Sequence, residues 1–520
     1  MEKQIDQITE LLQRHRLTGW LIRIISTKGR ALSAMILVWS CLMLLLSDWP
    51  SWWPPMPKPV ALVAEQFSGS FDNGRNFMFD RYQKDSPRVP ESQPVTIVAI
   101  DEKSLAQVGQ WPWPRHELAT LISKIAAYQP AAIGLDIYMP EVDQTSPDQV
   151  ARSVAQREPA LASRLRALPS NDDLLAQRLR ETPSVLGAAG FDFKTYTTSD
   201  GLRTRPLQLA AAGDGGGTVD AASTMAQVRD YPAVLASLPL LQSAAAGQAV
   251  LSVALDAGAV RRLPLLVRVG GEPVPGLAME MLRVATGEQA IKVNLGDKGI
   301  ESLAVADLTV PTQAQGEVYL HYAPQAATIN RYVSAIDVLD GKVEPQALQG
   351  KLVLIGLTGF GLTDMRVTAL GEHVPGIEIQ AQLMESLFDQ RFLLRPWWMI
   401  FIEIAGALVV GSLMIWLIPR AQHSSALGVV YKIPKASMLM SLALNAVIVG
   451  IGFYLFRARG WLFDAASFFL ITSAIFAMIF AFAEASANKR KEAERNREIN
   501  ALIERAKTAE AGLAAERSRD

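Results

Sequence analysis

The sequence predicts an α/β domain with a mixed sheet held outside the cytoplasm, carried on four transmembrane α-helices and followed by a C-terminal cytoplasmic helix with coiled-coil character. Three observations predict it. Apolar runs of membrane-spanning length occur once near the start and three times near the end, strand-like and helix-like periodicities alternate through residues 50–396, and the last stretch is charged and free of proline. Half the residues are apolar, only 19% are charged, and mean hydropathy is +0.17, a balance typical of membrane proteins. Net charge is -1 and the five histidines are scattered, which weighs against a nucleic-acid binder and against a metal cluster. The single cysteine, Cys41, lies inside an apolar run and excludes a disulfide framework.

The first span is predicted at 31–49. Its core, ALSAMILVWSCLMLLLS, carries no charge and is followed at once by Asp48, Trp49, Trp52 and Trp53 as interfacial anchors. Arg14, Arg16, Arg23, Lys28 and Arg30 precede it and hold the segment 1–30 in the cytoplasm by the positive-inside rule. A cleaved signal peptide is the competing reading, but the charged leader is long and no small-residue cleavage site precedes the Trp/Pro cluster. Further spans are predicted at 397–418, 436–455 and 462–483. Arg420, Lys432 and Lys435 suit a cytoplasmic link between the second and third, and Lys489, Arg490, Lys491, Arg495 and Arg497 a cytoplasmic C-terminus. The turn Arg457-Ala458-Arg459-Gly460 would face outward, against that rule. Glu403 is a charge inside the second span; lying close to Arg395, it is expected to snorkel or to pair with a neighbouring helix, with a relay or ligand role as the alternative.

Between the spans, VTIVAID (95–101), HELATLISKIAAY (116–128), AAIGLDI (131–137), a helical stretch 147–181 and SVLGAAG (184–190) read as β-α-β-α-β with parallel strands. Asp101 and Asp136 then fall at the carboxyl ends of strands, the edge where open parallel sheets bind ligands. Residues 249–269 alternate about Asp256-Ala257-Gly258 and read as a hairpin, with further strands at 316–322 and 351–357, all in one mixed sheet. The segment 210–223 is too rich in Gly and Ala to form a core and reads as a loop.

Pro112 and Pro114 hold Trp111 and Trp113 in extended conformations before the helix near His116. One reading is a buried aromatic plug, with Arg115 pairing Asp101 or Asp136. The other is a pocket in which Trp113 stacks on, and Arg115 charges, a small anionic or aromatic ligand. Asp364, in the glycine-rich turn 359–364, completes the candidate ligand-binding set Asp101, Trp111, Trp113, Arg115, Asp136 and Asp364. The sequence contains no His-Glu-x-x-His, no Gly-x-Ser-x-Gly and no zinc-spaced Cys/His set, so no catalytic residue, metal or cofactor is expected for residues 1–520.

The run 95–143, with Ile-Asp ending a strand, Gly109 to Arg115 as Gly-x-Trp-Pro-Trp-Pro-Arg and Gly134 to Asp136 as Gly-x-Asp, closely resembles the opening of the second type of CHASE domain, the extracellular sensors associated with cyclases and histidine kinases. DAGAVRRLPL (256–265) is similar to that family's arginine-containing hairpin, with Ala257 set between its aspartate and glycine. Residues 354–388 resemble its closing strand, glycine-rich turn and final helix, with Thr368-Ala369 where the family has threonine-proline. The resemblance, over about 60–397, implies a sensor with one span before it and three after. The expected function is the input half of a bacterial signalling receptor in the inner membrane. Residues 50–396 would be periplasmic or extracellular and both termini cytoplasmic, and the output would be a histidine kinase or an adenylate or diguanylate cyclase. A membrane scaffold or an extracytoplasmic enzyme is the alternative. Residues 484–520 are nearly all helix formers, and a thin stripe (Ala493, Ile499, Leu502, Ile503, Ala506, Ala509, Leu513) predicts a short parallel coiled coil in a homodimer, against a solvated basic tail. The partners expected are membrane lipid, a second copy, and a small-molecule or protein ligand of the outer domain; no nucleic acid is expected.

Overall fold

The computed structural model describes residues 29–49, 53, 56–199, 201–211, 220–253, 255–362, 364–421 and 436–517. The basic leader 1–28, Trp52, residues 212–219 of the Gly/Ala-rich segment and the link 422–435 lie outside them, as do the side chains of 506, 509 and 513 in the terminal stripe.

The β-rich runs form the strands that their composition predicts. Val95–Ile100, Ala132–Asp136, Ser184–Phe191 and Leu352–Leu357 are almost wholly buried on both faces, as expected of parallel strands covered by helices. Together with Tyr332–Ser334, Gly247–Val250 and Ala233–Leu235 they make a seven-stranded sheet, parallel except for Ala233–Leu235. Leu352–Leu357 lies between Val95–Ile100 and Ala132–Asp136 and pairs with both, so the first two strands of the chain are not neighbours. Alternation sorts the side chains to two faces. Val95, Ile97 and Ala99 join the core under helices Leu277–Thr286 and Gly376–Phe388, while Val98 and Ile100 join the core under Arg115–Ala126 and Asn171–Arg180.

The second half is not one mixed sheet. Four small sheets flank the central one, and the hairpin expected at 249–269 survives only as its turn. Ala257 and Gly258 both have positive φ (48° and 85°), the geometry of a type I′ turn, and Asp256 and Ala259 bond across it. The arms then diverge. Gly247–Val250 enters the central sheet, Ala259–Val260 pairs with Met365–Thr368, and Arg262–Pro264 pairs with Glu317–Tyr319.

Among the described residues, four helices are long and apolar enough to cross a membrane: Gly29–Ser47, Met399–Leu417, Leu439–Arg459 and Ala465–Phe482. They share a core of Leu37, Cys41, Leu44, Ala407, Ile448, Phe468, Ile471 and Ile475. A helix not anticipated from the sequence, Lys58–Asp85, joins the first span to the domain and buries Phe79 and Tyr82 against Leu393, Phe456 and Leu462. The fourth span runs without a break into a helix Ala465–Arg517, 53 residues or about 80 Å long.

An ionic knot ties these parts at the domain end of the bundle. Both terminal nitrogens of Arg395 donate to the fully buried Glu403 at 2.8 Å, one of them also reaches Asp48 at 2.7 Å, and the other reaches the carbonyl of Leu462 at 3.2 Å. Glu403 also accepts the Asp464 N–H at 2.8 Å, and Arg75 of the joining helix stands 3.5 Å from Asp48. Glu403 therefore pairs with the arginine ahead of its own helix and with the loop entering the fourth span. Gly460 ends the third span at φ 66°, where a side chain would collide with the carbonyl of Phe392; its own carbonyl accepts the Leu394 N–H at 2.8 Å. Removing one partner of a buried pair strands the other charge. Arg395→Leu and Glu403→Leu are each expected to cost about 3–5 kcal/mol in detergent unfolding titrations, and the double variant to recover at least half of the summed loss.

Candidate functional site

A cleft of about 940 Å³ opens at the carboxyl edge of the central sheet. Its floor is the strand ends themselves: Asp136 and Ile137, Phe191 and Asp192, Leu251 to Val253, and Leu357. Its walls come from the flanking sheets, which bring Arg229, Tyr231, Arg262, Glu317 and Arg366, and from the first turn of helix Gly376–Phe388. Parallel strands leave this edge open because their connecting helices start beyond it.

The six sequence candidates divide. Trp111, Asp136 and Asp364 line the cleft together. Asp101, Trp113 and Arg115 do not. Asp101 caps helix Glu102–Val108, accepting the backbone N–H of Ser104 at 2.9 Å and the hydroxyls of Ser104 and Ser334 at 2.7 and 2.8 Å. Trp113 is 2% exposed in the core below the sheet, and its indole N–H donates to the Gly109 carbonyl at 2.8 Å. Arg115 pairs with neither Asp101 nor Asp136. Its backbone N–H donates to Asp143 at 2.7 Å and its guanidinium lies 3.8 Å from Asp172. The Trp-Pro-Trp-Pro segment thus parts its two rings, with Trp113 sealing the core and Trp111, its centroid 6.1 Å away, turned to the cleft.

The charged groups of the cleft are mostly satisfied by one another. Arg229 holds Asp192 at 2.6 and 2.8 Å, Arg262 bridges Asp256 (2.8 and 3.0 Å) and Glu317 (3.1 Å), and Arg366 binds Asp364. Asp136 has no hydrogen-bond partner for its carboxylate among the described residues. Burial, followed by the nearby charge of Asp364, pushes its pKa up to about 6. A carboxylate left unmatched in a cleft is the pattern of a functional residue rather than a structural one.

Several lining residues gave little signal in the sequence. Tyr138 and Arg366 stand two positions after Asp136 and Asp364, a spacing that returns a side chain to the same side of an extended chain. Arg229 and Gln227 follow a short helix, and nothing in their local pattern marks them.

The raised pKa of Asp136 carries a sign. The folded protein holds its proton more tightly than the unfolded chain, so stability falls as pH rises from about 4 to 6, by at most about 3 kcal/mol. Asp136→Asn is therefore expected to melt several degrees above the parent at pH 7.5 and together with it at pH 4, measured by thermal unfolding of the full chain in detergent.

Neither a curated protein nor a solved structure matches the chain. The family model described as the CHASE2 domain matches residues 60–413, more than half of the chain, and it covers the whole α/β body, the cleft and most of the second span. With the cleft at the sheet edge and four helices fit to cross a membrane, this match identifies the chain as a member of the CHASE2 domain family, sensor domains found in signalling receptors.

Proposed function

We propose that the chain is the input half of a transmembrane signalling receptor: residues 50–396 face away from the cytoplasm and bind a ligand in the cleft through Trp111, Asp136 and Asp364, and the helix Ala465–Arg517 passes the response to a cytoplasmic kinase or nucleotide cyclase. The observation that carries this reading is a path from cleft to membrane boundary in which ion pairs alternate with rigid backbone. Arg262, on the cleft wall, is adjacent to Arg261, which donates to Asp80 of the joining helix at 2.7 and 2.8 Å. The same helix carries Arg75, which meets Asp48, and Asp48 meets Arg395. A ligand that favours one arrangement of Arg262 then acts on the bundle through rigid elements. The terminal helix is long, charged and exposed over residues 488–505, as a helix awaiting a second copy would be, and the receptor is read as a homodimer.

An extracytoplasmic enzyme is the second reading, favoured by the unmatched Asp136. Against it, Asp364, the carboxylate whose charge acts on Asp136, is held by Arg366.

Orientation and pairing are both measurable in living cells. In a chain with Cys41→Ala, a cysteine at exposed Ala160 is expected to react with a membrane-impermeant maleimide in intact spheroplasts, and one at Ala493 only after lysis. Cysteines stepped through 490–505 are expected to form disulfides between copies at helical spacing. Protection of position 160 in intact spheroplasts would end the receptor reading.

A further inference from the structure

We propose that the cleft takes a cationic ligand, an organic amine or ammonium whose apolar body lies against Trp111, Phe191 and Tyr231. The assignment rests on the cleft being the ligand site and names the chemistry that would fill it.

The charge census decides the sign. Four carboxylates line the cleft (Asp136, Asp192, Glu317 and Asp364) against three guanidiniums (Arg229, Arg262 and Arg366). Each guanidinium is already bound to carboxylate, and Arg262 is shared with a fifth acid, Asp256, so none is left to receive an anion. Asp136 is the acid without a counter-charge among the described residues. An acid without a partner calls for a group that brings donors, and a protonated amine brings up to three together with the missing positive charge. The helix Gly376–Phe388 does turn its N-terminus to the cleft, which by itself favours an anion. That end is already answered: the Gly376 N–H donates to the Asp364 carbonyl at 3.0 Å and Glu378 sits in the first turn. The aromatic rings fit the same ligand, since ring faces attract cations; Arg229 already sits 5.2 Å over Tyr231.

The other charged groups that face the cleft are paired within it, Asp364 with Arg366, Asp192 with Arg229 and Glu317 with Arg262, and burial raises Tyr138 further above its ordinary alkaline range.

The test uses three isosteric probes on the full chain in nanodiscs, read by melting temperature: phenethylamine, 2-phenylethanol and phenylacetate. Phenethylamine is expected to raise the melting temperature at pH 7.5. It should require roughly tenfold more ligand at pH 5, where Asp136 is protonated while the amine keeps its charge. The shift should weaken at least tenfold in Asp136→Asn and strengthen in Arg366→Ala, which frees Asp364. Phenylacetate and 2-phenylethanol should do nothing. A phenylacetate shift without an amine shift would overturn the cationic assignment and leave the cleft as a ligand site. An equal response to 2-phenylethanol, or an amine shift unchanged in Asp136→Asn, would likewise overturn it. Silence from all three probes would remove the cleft itself as the site.

Discussion

The arrangement of the whole molecule depends on one buried ion pair, Arg395 with Glu403. A carboxylate inside a span is costly unless a cation and donors surround it, and here two guanidinium nitrogens and a backbone N–H do so. The residues involved come from the approach to the second span, the second span itself, the exit of the first (Asp48) and the entry of the fourth (Asp464), so satisfying one charge fixes where four chain segments meet. The apolar contacts of the bundle are not directional and could be made in several registers. The ion pair, which tolerates one geometry, selects among them.

A second set of buried charges does the same inside the domain. Helix Gly376–Phe388 and its C-cap present Glu378, Glu385 and Asp389 to the interior, where Arg88 binds Asp389 at 2.6 Å and Glu385 at 3.2 Å, and Arg331 binds Glu378 at 3.0 Å and also Glu385. Arg88 follows the joining helix, Arg331 precedes the edge strand Tyr332–Ser334, and the acidic helix leads to the second span. The domain's start, its edge and its end are therefore locked at one place, only a few residues of chain from Arg395. The two ionic centres, together with the apolar cluster of Phe79, Tyr82, Leu393, Phe456 and Leu462, make the domain and the membrane boundary one mechanical unit.

Local pattern made the strands and helices legible; it could not reveal which strands pair across hundreds of residues. VTIVAID and AAIGLDI read as buried strands because every residue in them but the aspartate is apolar or small, yet nothing in either run says that Leu352–Leu357 separates them. The helix Lys58–Asp85 escaped because its apolar residues do not follow one face: Leu62 and Phe77 are exposed while Phe79 and Tyr82 are buried against the spans. In the candidate site, Asp136 and Asp364 were legible from strand-end position and turn chemistry. Arg115 misled because two acids lay near it in the sheet pattern, whereas its actual neighbours, Asp143 and Asp172, lie in the loop after the second strand and in helix Asn171–Arg180, where no periodicity announces a partner.

The contrast between the knot and the cleft bears on function. Nearly every buried charge in the domain and at the membrane boundary is matched by an opposite charge, at distances that leave little room for change. Among the acids that line the cleft Asp136 is the exception, and its position is costly: the chain holds an acid in a partly desolvated cleft where protonation, not pairing, relieves it. A stability optimum would place an asparagine or an arginine partner there. On the proposed reading, the unmatched acid is half of an interaction completed from outside the chain.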